Sequence, residues 1–183
     1  MALVLTGQRL VLREFAQDDW EDVYSFASQP DMSRYQAWGP DTPDDVRAYI
    51  DRARAAARQE PRSAFTLAVA LVETGRVVGT GDLYIRSQRF RSGEIAYGIS
   101  PAYWGQGRAT EVARLLLGFG FDALTLHRIA GTCDPRNVAS ARVLEKVGMR
   151  YEGRMRETRL IRDGWRDSSL YSILEQEWAP NRA

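Results

Sequence analysis

Tyr103-Trp104-Gly105-Gln106-Gly107-Arg108-Ala109-Thr110-Glu111 joins a strand-like run, Gly93–Ser100, to a helix-like run, Thr110–Leu124. Pro101 stops the first run, and Val112, Leu115, Leu116, Phe119 and Leu124 give the second its helical spacing. Two glycines and a small alanine let the backbone approach a ligand, and the free N–H groups of a first helical turn can hold phosphate. A dinucleotide fingerprint would need a third glycine where Thr110 stands, and hairpins rather than a βαβ opening precede the segment. A P-loop would need Gly-Lys-Ser/Thr, which is absent. A plain structural turn and a phosphate-holding turn of another kind both fit the residues.

Working outward, Arg9–Glu14 alternates as a strand, and Asp18 and Asp19 open a short helix carrying Trp20, Val23, Tyr24 and Phe26. Thr42-Pro43-Asp44-Asp45 starts a second helix with a cap, a proline and acids at its positive end. Ala64–Val72 and Arg76–Ile85 flank Glu73-Thr74-Gly75 as a hairpin. Arg128–Cys133 is a strand, and Asn137–Val147 a helix ended by Gly148. Tyr151–Ile161 and Trp165–Leu174 form a second hairpin around Arg162-Asp163-Gly164. The order β α α β β β α β α β β predicts a mixed α/β (α+β) domain with about four helices. Its sheet is mostly antiparallel, with one parallel pair from the crossover at 94–133.

Length and composition bound the chemistry. A chain of 183 residues, 44% hydrophobic and 27% charged, is predicted to be one packed domain. A net charge of +1 argues against nucleic-acid and membrane-surface binding. Of the 25 basic residues only Lys146 is lysine, a uniform bias that reads as composition rather than as a site. Lone Cys133 and lone His127 exclude a Cys/His zinc cluster and an internal disulfide, so no metal is expected and the setting is predicted to be cytoplasmic.

Gly98 through Glu111 resembles the acetyl-CoA loop of the GNAT N-acetyltransferases, and more narrowly that of the RimJ/RimL-like branch, which acetylates protein N-termini and small amines. Gly107 and Ala109 match the last two loop positions, and Trp104 replaces the usual leading Gln or Arg. Asn137-Val138-Ala139-Ser140 with Val143–Met149, the hairpin Arg162–Leu174 and the opening Thr6–Arg13 are similar to further pieces of that branch, in order, across about residues 6–178. The resemblance implies a single domain over 1–183 with a splayed parallel strand pair. It also implies acetyl-CoA as co-substrate without a metal, direct transfer to a primary amine in a ternary complex, and a homodimer. The acceptor is a peptide N-terminus or a small molecule. A non-catalytic acyl-CoA-binding or regulatory module, or a transferase of another acyl group, is the alternative.

Mapped residue by residue, the resemblance puts the cofactor on Gly105, Gln106, Gly107, Arg108, Ala109 and Thr110, on backbone groups of Ile99 and Ser100, and on Asn137, which also caps its helix. Ser140 matches the position that donates a proton to the leaving thiolate; local bonding at the helix start is its other reading. The amine's proton needs an acceptor. The branch's glutamate position falls on Arg159, so Glu157 becomes the candidate base, sharing strand parity with Tyr151, Met155 and Ile161. Glu152 and Glu94 are weaker candidates, and a solvated or paired role fits Glu157 as well. His127 reads as structural, and Cys133 as a small residue near the cofactor channel rather than a nucleophile. Tyr35, Trp38 and Trp165, with Asp31 and Asp41, are the candidate acceptor-side residues, and exposed aromatics there would favour a cationic or aromatic amine.

Overall fold

A computed structural model describes residues 3–178. Eight strands form one sheet: β1 (Val4–Thr6), β2 (Leu10–Arg13), β3 (Ala64–Leu71), β4 (Val77–Ser87), β5 (Ser92–Ile99), β6 (Arg128–Cys133), β7 (Arg150–Ile161) and β8 (Gly164–Leu174). Their spatial order is β1-β2-β3-β4-β5-β6-β8-β7, and every neighbouring pair is antiparallel except β5–β6. Both anticipated hairpins form, with Gly75 at φ +73° and Gly164 at φ +119° supplying turn conformations that side chains resist.

The helices are α1 (Trp20–Ala27), α2 (Pro30–Ser33), α3 (Pro43–Ala56), α4 (Arg108–Gly118), α5 (Val138–Lys146) and α6 (Glu175–Trp178). Thr42 caps α3 through a reciprocal box with Asp45, and the Asn137 side chain caps α5 by accepting from the Ser140 N–H. Among the described residues six helices stand where about four were predicted, because α2 and α6 are single turns of four residues without a readable period. The long predicted helix to Leu124 loses its α pitch at Phe119 and ends as a π turn, where Leu124 donates to the Phe119 carbonyl. There Gly120 lies so close to Ile129 and Leu83 that a Cβ would sit 2.5 Å from Ile129.

The sheet carries a core on each face. Val46, Ile50, Val23 and Phe26 from α1 and α3 cover Ala68, Ala70 and Val77. Val112, Leu116 and Leu117 of α4, with Leu144 of α5, pack on Leu12, Leu67, Leu83, Ile95 and Ile129 on the opposite face. This is the mixed sheet with a parallel crossover that the element order implied. The parallel ladder runs only from Ser92 opposite Arg128 to Ile95 opposite Gly131, whereas β5 continues to Ile99 and β6 to Cys133. Beyond Ile95 the two strands part and leave a wedge through the middle of the sheet. None of the described helices is long and apolar enough to cross a membrane.

Candidate active site

The strand β5 that borders the wedge leads straight into the glycine turn before α4. Gly105 and Gly107 hold φ +72° and +77°, and Gly107 stands as the left-handed residue that starts α4. A Cβ at Gly105 would meet nothing within 4 Å and one at Gly107 would meet only the Arg9 guanidinium at 3.6 Å, so the backbone faces open space. The first-turn N–H groups of Arg108, Ala109 and Thr110 have no preceding turn to bond, which leaves an anion-binding end. Two ties from β2 fix the turn. Arg9 Nη1 donates to the Gln106 carbonyl (2.8 Å), and Glu111 accepts from the Arg9 and Leu10 N–H groups and from Arg9 Nε. Arg108 bonds the Gln106 side chain and lies over the Tyr103 ring. Trp104, in the position where the resemblance allows Gln or Arg, donates its indole N–H to the Ile99 carbonyl (2.6 Å).

Inside the wedge a cavity of about 90 Å³ is lined by Ile95, Ala96 and Tyr97 of β5 and by Thr132, Cys133 and Asp134 of β6 and its following loop. Asn137, Ser140 and Leu144 close it on the α5 side. Ser140 Oγ lies 3.4 Å from Tyr97 Oη, which also donates to the Ser140 carbonyl (3.3 Å). Burial pushes the Tyr97 phenol well above its ordinary value, so it is a proton-bearing donor at neutral pH. Burial, with Asp134 and Glu145 nearby, raises the Cys133 thiol to about 11, and that thiol is no nucleophile at neutral pH. Tyr97 is a residue the sequence analysis missed. Its signal was its two-residue spacing from Ile95 and Ile99, which puts all three on one strand face.

Other candidates fall differently. The unpaired strand edge begins at Ala96 rather than at Ile99 and Ser100. The Ser100 N–H already donates to the Val78 carbonyl (2.8 Å), and the Ile99 carbonyl is taken by Trp104. Glu157 does not face inward with its strand neighbours. The β7–β8 register slips between Met155 and Arg159, Glu157 adopts φ +50°, and its N–H donates to Asp167 (2.9 Å). It is exposed and lies outside the wedge lining. Glu152 is clasped by Arg128 and Ser172, which hold its carboxyl down to about 2, far too acidic for a base. Glu94 does line the wedge, with Arg86 as its partner at 2.8 Å. His127 sits outside, its ring 3.3 Å from Glu175. Tyr35 lines the cavity, whereas Trp38 and Trp165 are 41% and 57% exposed and do not. No cluster of three or more metal-ligating side chains occurs among the described residues.

The chain is similar in sequence and fold to known proteins. The family described as an acetyltransferase (GNAT) domain matches residues 9–150. The uncharacterized N-acetyltransferase YnaD of Bacillus subtilis (strain 168) is 33% identical over 174 residues, covering 95% of this chain and 98% of that protein. The crystal structure of a GNAT-family acetyltransferase from Bacillus anthracis superposes with a TM-score of 0.84 at 31% identity, covering 96% of this chain and all of the other. The ribosomal-protein-S5-alanine acetyltransferase of Vibrio fischeri shares the fold at a TM-score of 0.80 and 22% identity, covering 96% of this chain and 98% of the other.

Proposed function

The chain belongs to the GNAT acetyltransferase family, and on that premise we propose that it moves the acetyl group of acetyl-CoA directly onto a primary amine, within the RimJ/RimL-like branch. The observation that carries the reading is that β5, which walls a wedge holding two neutral hydroxyl donors, runs on directly into the open glycine turn. Acetyl-CoA supplies the acyl group and the thiol that leaves. The turn residues Gly105 to Thr110 hold its pyrophosphate through backbone N–H groups, and Asn137 lies where the chain beyond would pass. The open backbone from Ala96 onward supports the thioester, with Ile99 and Ser100 shaping the mouth; a preorganised backbone donor to a developing oxyanion is worth about 10²–10³ in rate. Ser140, steadied by Tyr97, gives the departing sulfur a proton.

The ammonium must shed a proton before it attacks. Of the three carboxylates that line the wedge, Glu94, Asp134 and Asp167, Glu94 on β5 with Tyr97 receives that proton directly or through water. Glu157, outside the wedge, takes the role only if the acceptor itself bridges to it. Tyr35 forms the acceptor-side wall, with Trp38 and Trp165 beyond it. The experiment is thiol release from acetyl-CoA across an amine panel, with products identified by mass spectrometry and peptides beginning with Ser, Ala and Leu included. Amine-dependent turnover supports the reading. Tight acetyl-CoA binding without turnover favours a binding module, and turnover only with a longer acyl-CoA favours another acyl group.

A further inference from the structure

The outer end of the wedge carries more arginine than its acids can match. Arg159 and Arg166 face each other across the β7–β8 ladder, and both line the cavity. Like charges directly opposite on a strand pair repel. Arg166 is held by Asp163, and its Nε is buried with no hydrogen-bond partner. Arg159 makes a single long contact, 3.5 Å to Thr132 Oγ1, and has no carboxylate partner among the described residues. Arg34 likewise has none; its guanidinium and that of Arg136 each lie 5.6 Å from the Tyr35 ring, so two arginines already attend that ring. The acids of the lining are committed elsewhere: Glu94 to Arg86, Asp134 to Arg136 and Asp167 to Arg154. The unmet positive charge is thus concentrated at the acceptor end, beside a buried donor that lacks an acceptor.

We propose that the acceptor is an amine bearing a carboxylate, and that Arg159 and Arg166 read that carboxylate as a specificity-determining pair. This rests on the amine-acetylating reading above and narrows its substrate class. A planar two-oxygen group suits two guanidinium forks on adjacent strands, and it relieves their repulsion while giving Arg166 Nε an acceptor. The transfer keeps its balance. The amine nitrogen bonds the acetyl carbon, the carbon–sulfur bond breaks, and of the two protons the ammonium loses one ends on the thiol and one in solvent. A dicationic amine would meet Arg34, Arg159 and Arg166 with repulsion instead.

The test uses matched acceptors: amino acids with one to four carbons between amine and carboxylate, their amides and the parent amines, with spermidine and phosphoethanolamine alongside. The proposal expects the carboxylate member of at least one set to be acetylated with kcat/KM tenfold or more above its amide. In Arg159→Gln, KM for that acceptor should rise about tenfold or more, the loss of one charge-assisted contact. KM for acetyl-CoA should stay unchanged, and Arg159→Lys should recover part of the loss. Equal rates for acid and amide, preference for spermidine, or an Arg159→Gln effect that is the same for both members overturns it while leaving amine acetylation standing. Preference for phosphoethanolamine over every carboxylate overturns the carboxylate in favour of a phosphate. Thiol release without acetylation of any amine would overturn the underlying reading instead.

Discussion

Tyr97 and Ser140 meet across the gap between a strand and a helix, and their two hydroxyls stand within 3.4 Å of each other on the wall of the cavity. Losing a donor used only as the thiolate departs should lower kcat and leave ground-state affinity alone. Ser140→Ala is therefore expected to cut turnover about 10²–10⁴-fold, the range usual for a positioned proton donor. Acetyl-CoA affinity by calorimetry should stay within about twofold. A threefold or smaller loss would leave Ser140 as a helix-start residue bonded to Asn137. Cys133 lies beside them with its thiol raised to about 11. A protein incubated with acetyl-CoA and no amine should accordingly show no thioester adduct in its intact mass, and Cys133→Ala should retain turnover within about threefold.

At the scale of elements, the turn before α4 was the most legible part of the sequence, because only glycine adopts its two left-handed conformations cheaply. Gly107→Val puts a branched side chain at φ +77° between the backbone and whatever the turn holds. The expected result is a folded protein whose KM for acetyl-CoA rises at least tenfold; unchanged acetyl-CoA affinity in the folded variant would remove the phosphate site from this turn. The anchoring of that turn was not legible. Glu111 reaches Arg9 and the N–H of Leu10, partners about 100 positions away in sequence, and local pattern carries no trace of such a tie. Strand parity failed for a related reason. A two-residue period holds only while the ladder is regular, and the register slip between Met155 and Arg159 turns Glu157 outward. Tyr97 was legible in principle from the same period on β5, where no slip intervenes before the open edge.

For the whole molecule, element order sufficed for the mixed sheet and its parallel crossover, because connections of that length leave few topologies. The single-turn helices and the three-residue β1 were beyond it, since tertiary packing rather than propensity makes them. Acid stability also belongs to this scale. Arg128 and Ser172 hold Glu152 near 2, and hydrogen bonds and arginines lower Asp134 and Asp167. Carboxyls lowered on folding add stability that is present above about pH 4.5 and fades as the pH falls toward 2. Asp82 works in the opposite sense, because burial raises it from 3.8 to about 6. Its cost is absent below pH 3.8 and complete above pH 6. Asp82→Asn should then raise Tm by several degrees at pH 8 and much less at pH 4, as differential scanning calorimetry would read. The short parallel ladder has a consequence of its own. Backbone bonding between the five-stranded leaf β1–β5 and the three-stranded leaf β6–β8 ends at Ile95 and Gly131. A molecule wedged between the leaves therefore acts as a rivet in a hinge, and deuterium uptake along β6 and β8 should slow when only a cofactor is added, far from the phosphates that anchor it.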